Sequence, residues 1–183
     1  MNTEEATSRA LDAAETLFYR RGIHAVGMAD VRDASGVSLK RLYQLFPSKE
    51  HLVTTFLRRR DGHWRARLAT HVDRRRDPDQ RVLAVFDWLY EWFGEPGYRG
   101  CAWVNTFGEL GATSPAVAEE ARFHKEAVRG YLRELVAAAG RPKALADHLL
   151  LLAEGAMTIA AITGTPAPAR QAKAAAATLL AAG

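Results

Sequence analysis

Residues 33–52 read DASGVSLKRLYQLFPSKEHL, and their asymmetry decides how the rest of the chain is read. Between Ser35 and Lys49 there is no acidic residue. A short helix over Leu39–Phe46 would place Lys40, Arg41, Tyr43 and Gln44 on one side and Leu42 and Leu45 on the other. Gly36 suits the stop of a preceding helix over Met28–Ser35, because glycine takes positive φ without a Cβ clash. Ser38 stands where an N-cap belongs, and Pro47 ends the segment. Two short helices joined by a glycine turn, with an apolar inner face and a basic, amide-bearing outer face, have the form of a helix-turn-helix. In that motif the second helix enters the major groove. Val31, Val37, Leu42 and Leu45 would supply its anchors.

Around this stretch nearly every segment has helical periodicity. A first helix over Glu4–Arg21 places Leu11, Ala14, Leu17 and Phe18 on one face. A long helix over Lys49–Val72 follows Ser48, and further helices begin near Asp77, Ala102, Pro115, Pro142 and Pro168. No run alternates with a period of two, so the fold class expected is all-α. The arrangement expected is an N-terminal three-helix helix-turn-helix domain (1–48), then a C-terminal helical bundle (49–183) entered through a linking helix at 49–72, about nine helices in all.

Charge supports this division. Residues 1–76 carry a net +6 and residues 77–183 a net −2, so the basic part is the one suited to a polyanion. No uninterrupted apolar run approaches the ~20 residues that span a bilayer. The opening residues are charged and periodic rather than signal-like, and one cysteine, Cys101, cannot form an internal disulfide. A cytoplasmic protein with no membrane partner is therefore expected.

The segments RALDAAETLFYRRG (9–22) and VRDASGVSLKRLYQLFPSKEHL (31–52) resemble the DNA-binding domain of the TetR family of bacterial transcriptional regulators. Ala13-Ala14, Leu17-Phe18, Gly22, Gly36-Val37-Ser38, Leu42-Tyr43, Phe46, Lys49-Glu50 and Leu52 carry the resemblance in order and spacing. It implies that Tyr43 and Lys49 contact phosphate and that Ser38, Leu39, Lys40, Arg41 and Gln44 face the groove. Gly27 and Met28, at the start of the preceding helix, complete the candidate DNA-binding set. The chain departs from the family at Val26-Gly27, where a threonine or serine is usual, and at Arg32, where a small residue is common.

The resemblance further implies a homodimer on a double-stranded operator, a repressor released by a small-molecule effector, and no cofactor. For the effector pocket, the aromatic-rich stretch offers Trp88, Trp92, Trp103, Asn105, Phe107, Glu109, Phe123 and His124. For dimerisation, Leu145, Leu149, Leu152, Ala156 and Ile159 form one stripe, with Ala175 and Leu179 on another. Two other readings stand beside this one. A helical adaptor or small-molecule-binding protein could keep the fold without binding DNA. A small enzyme could use Cys101 with His124 as base, but no catalytic signature surrounds Cys101, and His63 and His71 lack a third metal ligand. No enzyme activity and no metal are expected.

Overall fold

A computed structural model of the chain describes residues 1–182, and these form nine α-helices and no strand. They are α1 (Thr3–Arg21), α2 (Met28–Ser35), α3 (Leu39–Leu45), α4 (Lys49–Val72), α5 (Pro78–Phe93), α6 (Ala102–Leu110), α7 (Pro115–Ala138), α8 (Ala144–Thr163) and α9 (Ala167–Ala182). Side-chain caps set several boundaries. Asn2 accepts from the Glu5 N–H at 2.8 Å to start α1, and Asp77 accepts from Gln80 at 2.8 Å to start α5, with Pro78 in its first turn.

The described residues divide into two compact units, which do not follow a cut at residue 49. One comprises 1–62 together with 102–122, the other 63–101 together with 123–182. Thus α6 and the start of α7 pack with the first three helices, although far from them in sequence.

In the first unit the core is made by Ala10, Ala14 and Phe18 of α1, Val31 of α2, Leu42 of α3, and Leu52, Val53 and Phe56 of α4, all buried. Phe18 and Phe56 meet at 5.9 Å between ring centroids. Polar contacts tie α4 to its neighbours: Arg59 bonds Asp12 at 2.8 Å, Arg60 bonds Glu15 at 2.5 Å, and Arg58 bonds Glu120 at 2.5 Å. Gly36 has φ +68, a conformation that strains a residue with a Cβ, and an added Cβ would sit 2.8 Å from an Arg9 guanidinium nitrogen. Gly36→Ala is therefore expected to destabilise the protein by about 1–2 kcal/mol in urea unfolding. An unchanged midpoint would show that the turn relaxes.

In the second unit α9 packs against both α5 and α8. Leu149, Ala153, Met157 and Ala160 of α8 meet this core, as do Ala169, Ala172, Ala176 and Leu180 of α9. Ion pairs fasten the packing. Arg129 binds Asp147 at 2.6 Å, Lys125 binds Glu154 at 2.6 Å and Lys173 binds Asp87 at 2.6 Å. By length and composition α8 alone among the described helices could cross a membrane, with a mean hydropathy of 1.5 over its most apolar window. Its apolar character extends around both faces, one of which is buried here.

Candidate nucleic-acid interface

The α2–α3 pair is built as its residues dictate. Val31, Val37 and Leu42 are completely buried and hold the two helices together. Ser38 Oγ accepts from the Arg41 N–H at 3.3 Å, so the cap that starts α3 is present. Asp30 reaches back to accept from the Gly27 N–H at 2.7 Å, the half of a capping box that needs no hydroxyl, while Gly27 has no side chain to cap the N–H groups of α2. That bond, and the nearby Arg21 guanidinium, hold the Asp30 carboxyl below its ordinary range.

The outward face of α3 exposes Lys40, Tyr43 and Gln44, with Ser38 at its entry. Tyr43 is 48% exposed, more than an anchoring aromatic would be. Arg41 is half-buried; its guanidinium donates to Thr3 Oγ1 at 2.6 Å and to Gln44 Oε1 at 3.2 Å. Leu39 is also half-buried. Arg32 lies exposed and forms a two-point ion pair with Asp33, at 2.7 and 3.0 Å.

Two residues of the candidate DNA-binding set are placed otherwise than expected. Met28 is buried, so its side chain packs into the head rather than facing outward. Lys49 donates to the Ile23 carbonyl at 2.6 Å, and burial lowers its pKa, with the carboxylates of Glu109 and Asp30 opposing. Its ammonium closes the end of the α1–α2 turn.

The same turn is held from the other side by α6. Glu109 accepts from the Ile23 N–H at 2.9 Å and the His24 N–H at 2.8 Å, and its backbone carbonyl lies 3.1 Å from His24 Nε2. Gly22, at φ +85, allows this approach, since an added Cβ would lie 3.0 Å from the Glu109 carboxylate. The candidate pocket role of Glu109 is therefore corrected: its carboxylate is committed to backbone N–H groups of the head. Glu109→Ala is expected to cost about 1–2 kcal/mol of stability after allowance for partial exposure, measured by urea unfolding. A variant as stable as the parent would show that water replaces the carboxylate at no cost.

The family assignment rests on both parts of the chain. Residues 10–55 match the profile of bacterial regulatory proteins of the tetR family, and residues 78–176 match the tetracyclin repressor-like C-terminal domain. The chain belongs to the TetR family. Members of this family are DNA-binding transcriptional regulators rather than enzymes. The fold agrees with a solved TetR-family transcriptional regulator from Streptomyces coelicolor, with a TM-score of 0.89 and 27% identity over 97% of this chain and 95% of that one. Among curated proteins, the transcriptional activator FasR of Mycolicibacterium smegmatis is 32% identical over 137 residues, 73% of this chain. The transcriptional repressor KstR2 of Rhodococcus jostii is 46% identical over 48 residues, 26% of this chain. The matches span 59% of FasR and 24% of KstR2.

The TetR-type C-terminal region gathers some of the expected pocket residues and separates others. Trp88 and Trp92 stack at 5.4 Å, and Trp64 of α4 meets both edge-on, at 4.8 and 5.6 Å. His124 packs 5.2 Å from Trp64, and Tyr98 closes on Trp92 at 5.1 Å. Trp64 was missed in the sequence because it follows a run of arginines on a helix read as a linker. Trp103, Asn105, Phe107 and Glu109 belong to the other unit. Trp103 is buried there, whereas Asn105 and Phe107 are exposed, and so is Phe123 at the entry to the second unit.

Dimer candidates divide in the same way. Leu145, Leu149 and Ala156 are buried inside the second unit and so do not offer an outer surface. Leu152, Ala175 and Leu179 are half-buried, and Ile159 is exposed. The outward stripe of α8 comprises Leu151, Gly155, Ile159 and Ile162; Leu151 is 70% and Ile162 76% exposed.

Cys101 is buried, and its polar neighbour is the Lys125 ammonium, 3.3 Å from Sγ and 2.6 Å from a Glu154 oxygen. Burial pulls the Lys125 pKa down, but Cys101 and Glu154 together outweigh it and raise the value. A lysine held protonated cannot serve as a base toward the sulfur. Among the described residues no three His, Cys, Asp or Glu side chains are grouped to hold a metal ion.

Proposed function

We propose that the protein is a cytoplasmic, homodimeric repressor that reads a palindromic operator through α3 and is released by a small-molecule effector. The observation that carries the reading is the acid-free face of α3, with Lys40, Tyr43 and Gln44 exposed on a helix whose other side is clamped by fully buried Val37 and Leu42. Lysine neutralises phosphate, the tyrosine hydroxyl hydrogen-bonds to it, and glutamine pairs with adenine in the major groove. Arg41 contributes a second cation at the rim, and Ser38 and Leu39 lie at the entry to the groove. Repression rests on the likeness to the transcriptional repressor KstR2.

Dimerisation is assigned to the outer faces of α8 and α9. Leu151, Ile159 and Ile162 leave an apolar stripe in water, with Gly155 between them and Ala174 and Thr178 exposed on α9. Such a contiguous stripe marks an interface, and small residues let helices approach closely.

The effector is assigned to the second unit, around Trp64, Trp88, Trp92 and His124, which form an apolar cluster with one titratable ring. Coupling runs along α4, which belongs to the first unit up to Gly62 and to the second beyond it. A Cβ at Gly62 would meet nothing within 4 Å, so packing does not require glycine there. In mid-helix it costs about 1 kcal/mol relative to alanine, which makes this the pliable point of α4. The effector acts only to the extent that it prefers one arrangement of α4 over another.

Selection of sites from random duplexes by the purified protein tests the reading. A palindromic consensus is expected, lost with Tyr43→Ala. No enrichment over that variant would leave a helical small-molecule-binding protein without DNA function.

A further inference from the structure

Arg41 differs from Lys40, Tyr43 and Gln44 in being half-buried, and its guanidinium is already engaged within the protein. One terminal nitrogen donates to Thr3 Oγ1 at 2.6 Å and the other to Gln44 Oε1 at 3.2 Å. Thr3 stands in the first turn of α1, 38 residues away in sequence. A side chain of the seven-residue helix α3 is thus fixed from a different helix.

The orientation of the Gln44 amide follows from chemistry. A guanidinium donates and never accepts, so the amide atom that meets Arg41 is the oxygen. The amide nitrogen, with its two N–H donors, is the end not bound to Arg41, and the oxygen keeps a second lone pair. An amide so placed donates to adenine N7 and accepts from adenine N6–H, the pairing that marks adenine in the major groove.

The anchor for this arrangement is stiff. Threonine is β-branched and restricted at χ1. Ala6 and Ala10, further along α1, are completely buried, and Asn2 caps the same first turn through the Glu5 N–H at 2.8 Å. Arg41 adds a planar fork that serves two acceptors in fixed geometry, which an ammonium does not reproduce. Ordering Gln44 before DNA arrives reduces the rotamer freedom lost on binding.

We propose that Arg41 is a positioning residue for base reading. Held by Thr3, it presents the Gln44 amide to adenine in one orientation. Thr3, on α1, thereby sets specificity at that base pair without touching DNA. The inference rests on the reading of α3 as the groove helix given above.

The test uses the full chain and the operator it selects from random duplexes. Fluorescence anisotropy compares that operator with duplexes altered one base pair at a time. Thr3→Val keeps the shape of the side chain and removes the acceptor, whereas Arg41→Lys keeps the charge and removes the fork. Each is expected to lower discrimination about five- to tenfold at the base pair that Gln44→Ala relaxes. Neither should alter discrimination elsewhere or the dependence on salt, and neither should add to the effect of Gln44→Ala when combined with it. A fault of folding does not give this result, because it lowers affinity for all sequences alike. Full discrimination in Thr3→Val or Arg41→Lys would overturn the assignment. So would loss at a different base pair, which would make Arg41 a direct reader, or uniform loss with a shallower salt slope, which would make it a phosphate contact. A parent protein that selects no operator would instead overturn the reading of α3 itself, and this inference with it.

Discussion

Gln44→Ala is expected to relax operator choice at one base position in each half-site, while Lys40→Ala weakens binding to all sequences alike. The two outcomes differ because the side chains do different chemistry from adjacent turns of α3. Both are exposed, so neither truncation opens a cavity, and alanine is no worse a helix former than either. An amide that donates to and accepts from one adenine loses about 1–3 kcal/mol of discrimination when removed, at each half-site. A lysine on phosphate carries no sequence information; its loss lowers the salt dependence by about one counterion per subunit. Fluorescence anisotropy on the selected operator and on single-base variants, at several salt concentrations, separates the cases. If Gln44→Ala leaves discrimination at every position intact, α3 does not read bases through this residue.

Leu151→Asp with Ile162→Asp is expected to yield a folded monomer that no longer selects the operator. Both side chains are largely exposed in the single chain, so the monomer has little to lose. At a helix–helix interface each carboxylate would be desolvated without a partner, a cost of several kcal/mol per ion. Paired half-sites would then be lost, and affinity should fall by about 10³ or more, toward the non-specific level. Sedimentation equilibrium should show one subunit, and the thermal midpoint should cease to depend on protein concentration. A variant that remains dimeric would place the interface on another surface.

How much of this was readable in advance varied with how local each feature is. The caps and turn of the helix-turn-helix depend on neighbours within four residues, so Gly36, Ser38 and Pro47 announced α2 and α3 before any packing was considered. Helix boundaries agree to within about two residues for the same reason. The face of α8 was not readable. Its apolar residues surround the helix, and periodicity cannot say which side α5 and α9 will cover.

The sequence by itself therefore determined the all-α class, the head motif and the acid-free face of α3. Each follows from backbone preferences and from the alternation of apolar and polar groups along a few turns. Only the tertiary structure decided that Glu109 caps the α1–α2 turn from more than eighty residues away and that Lys49 turns inward to the Ile23 carbonyl. It likewise decided that Trp64 joins Trp88 and Trp92. These depend on which helices meet, and a carboxylate, an ammonium or an indole has the same local signature wherever its partner lies. Burial and the need to satisfy hydrogen bonds then choose the partner, and they act only once the chain has folded.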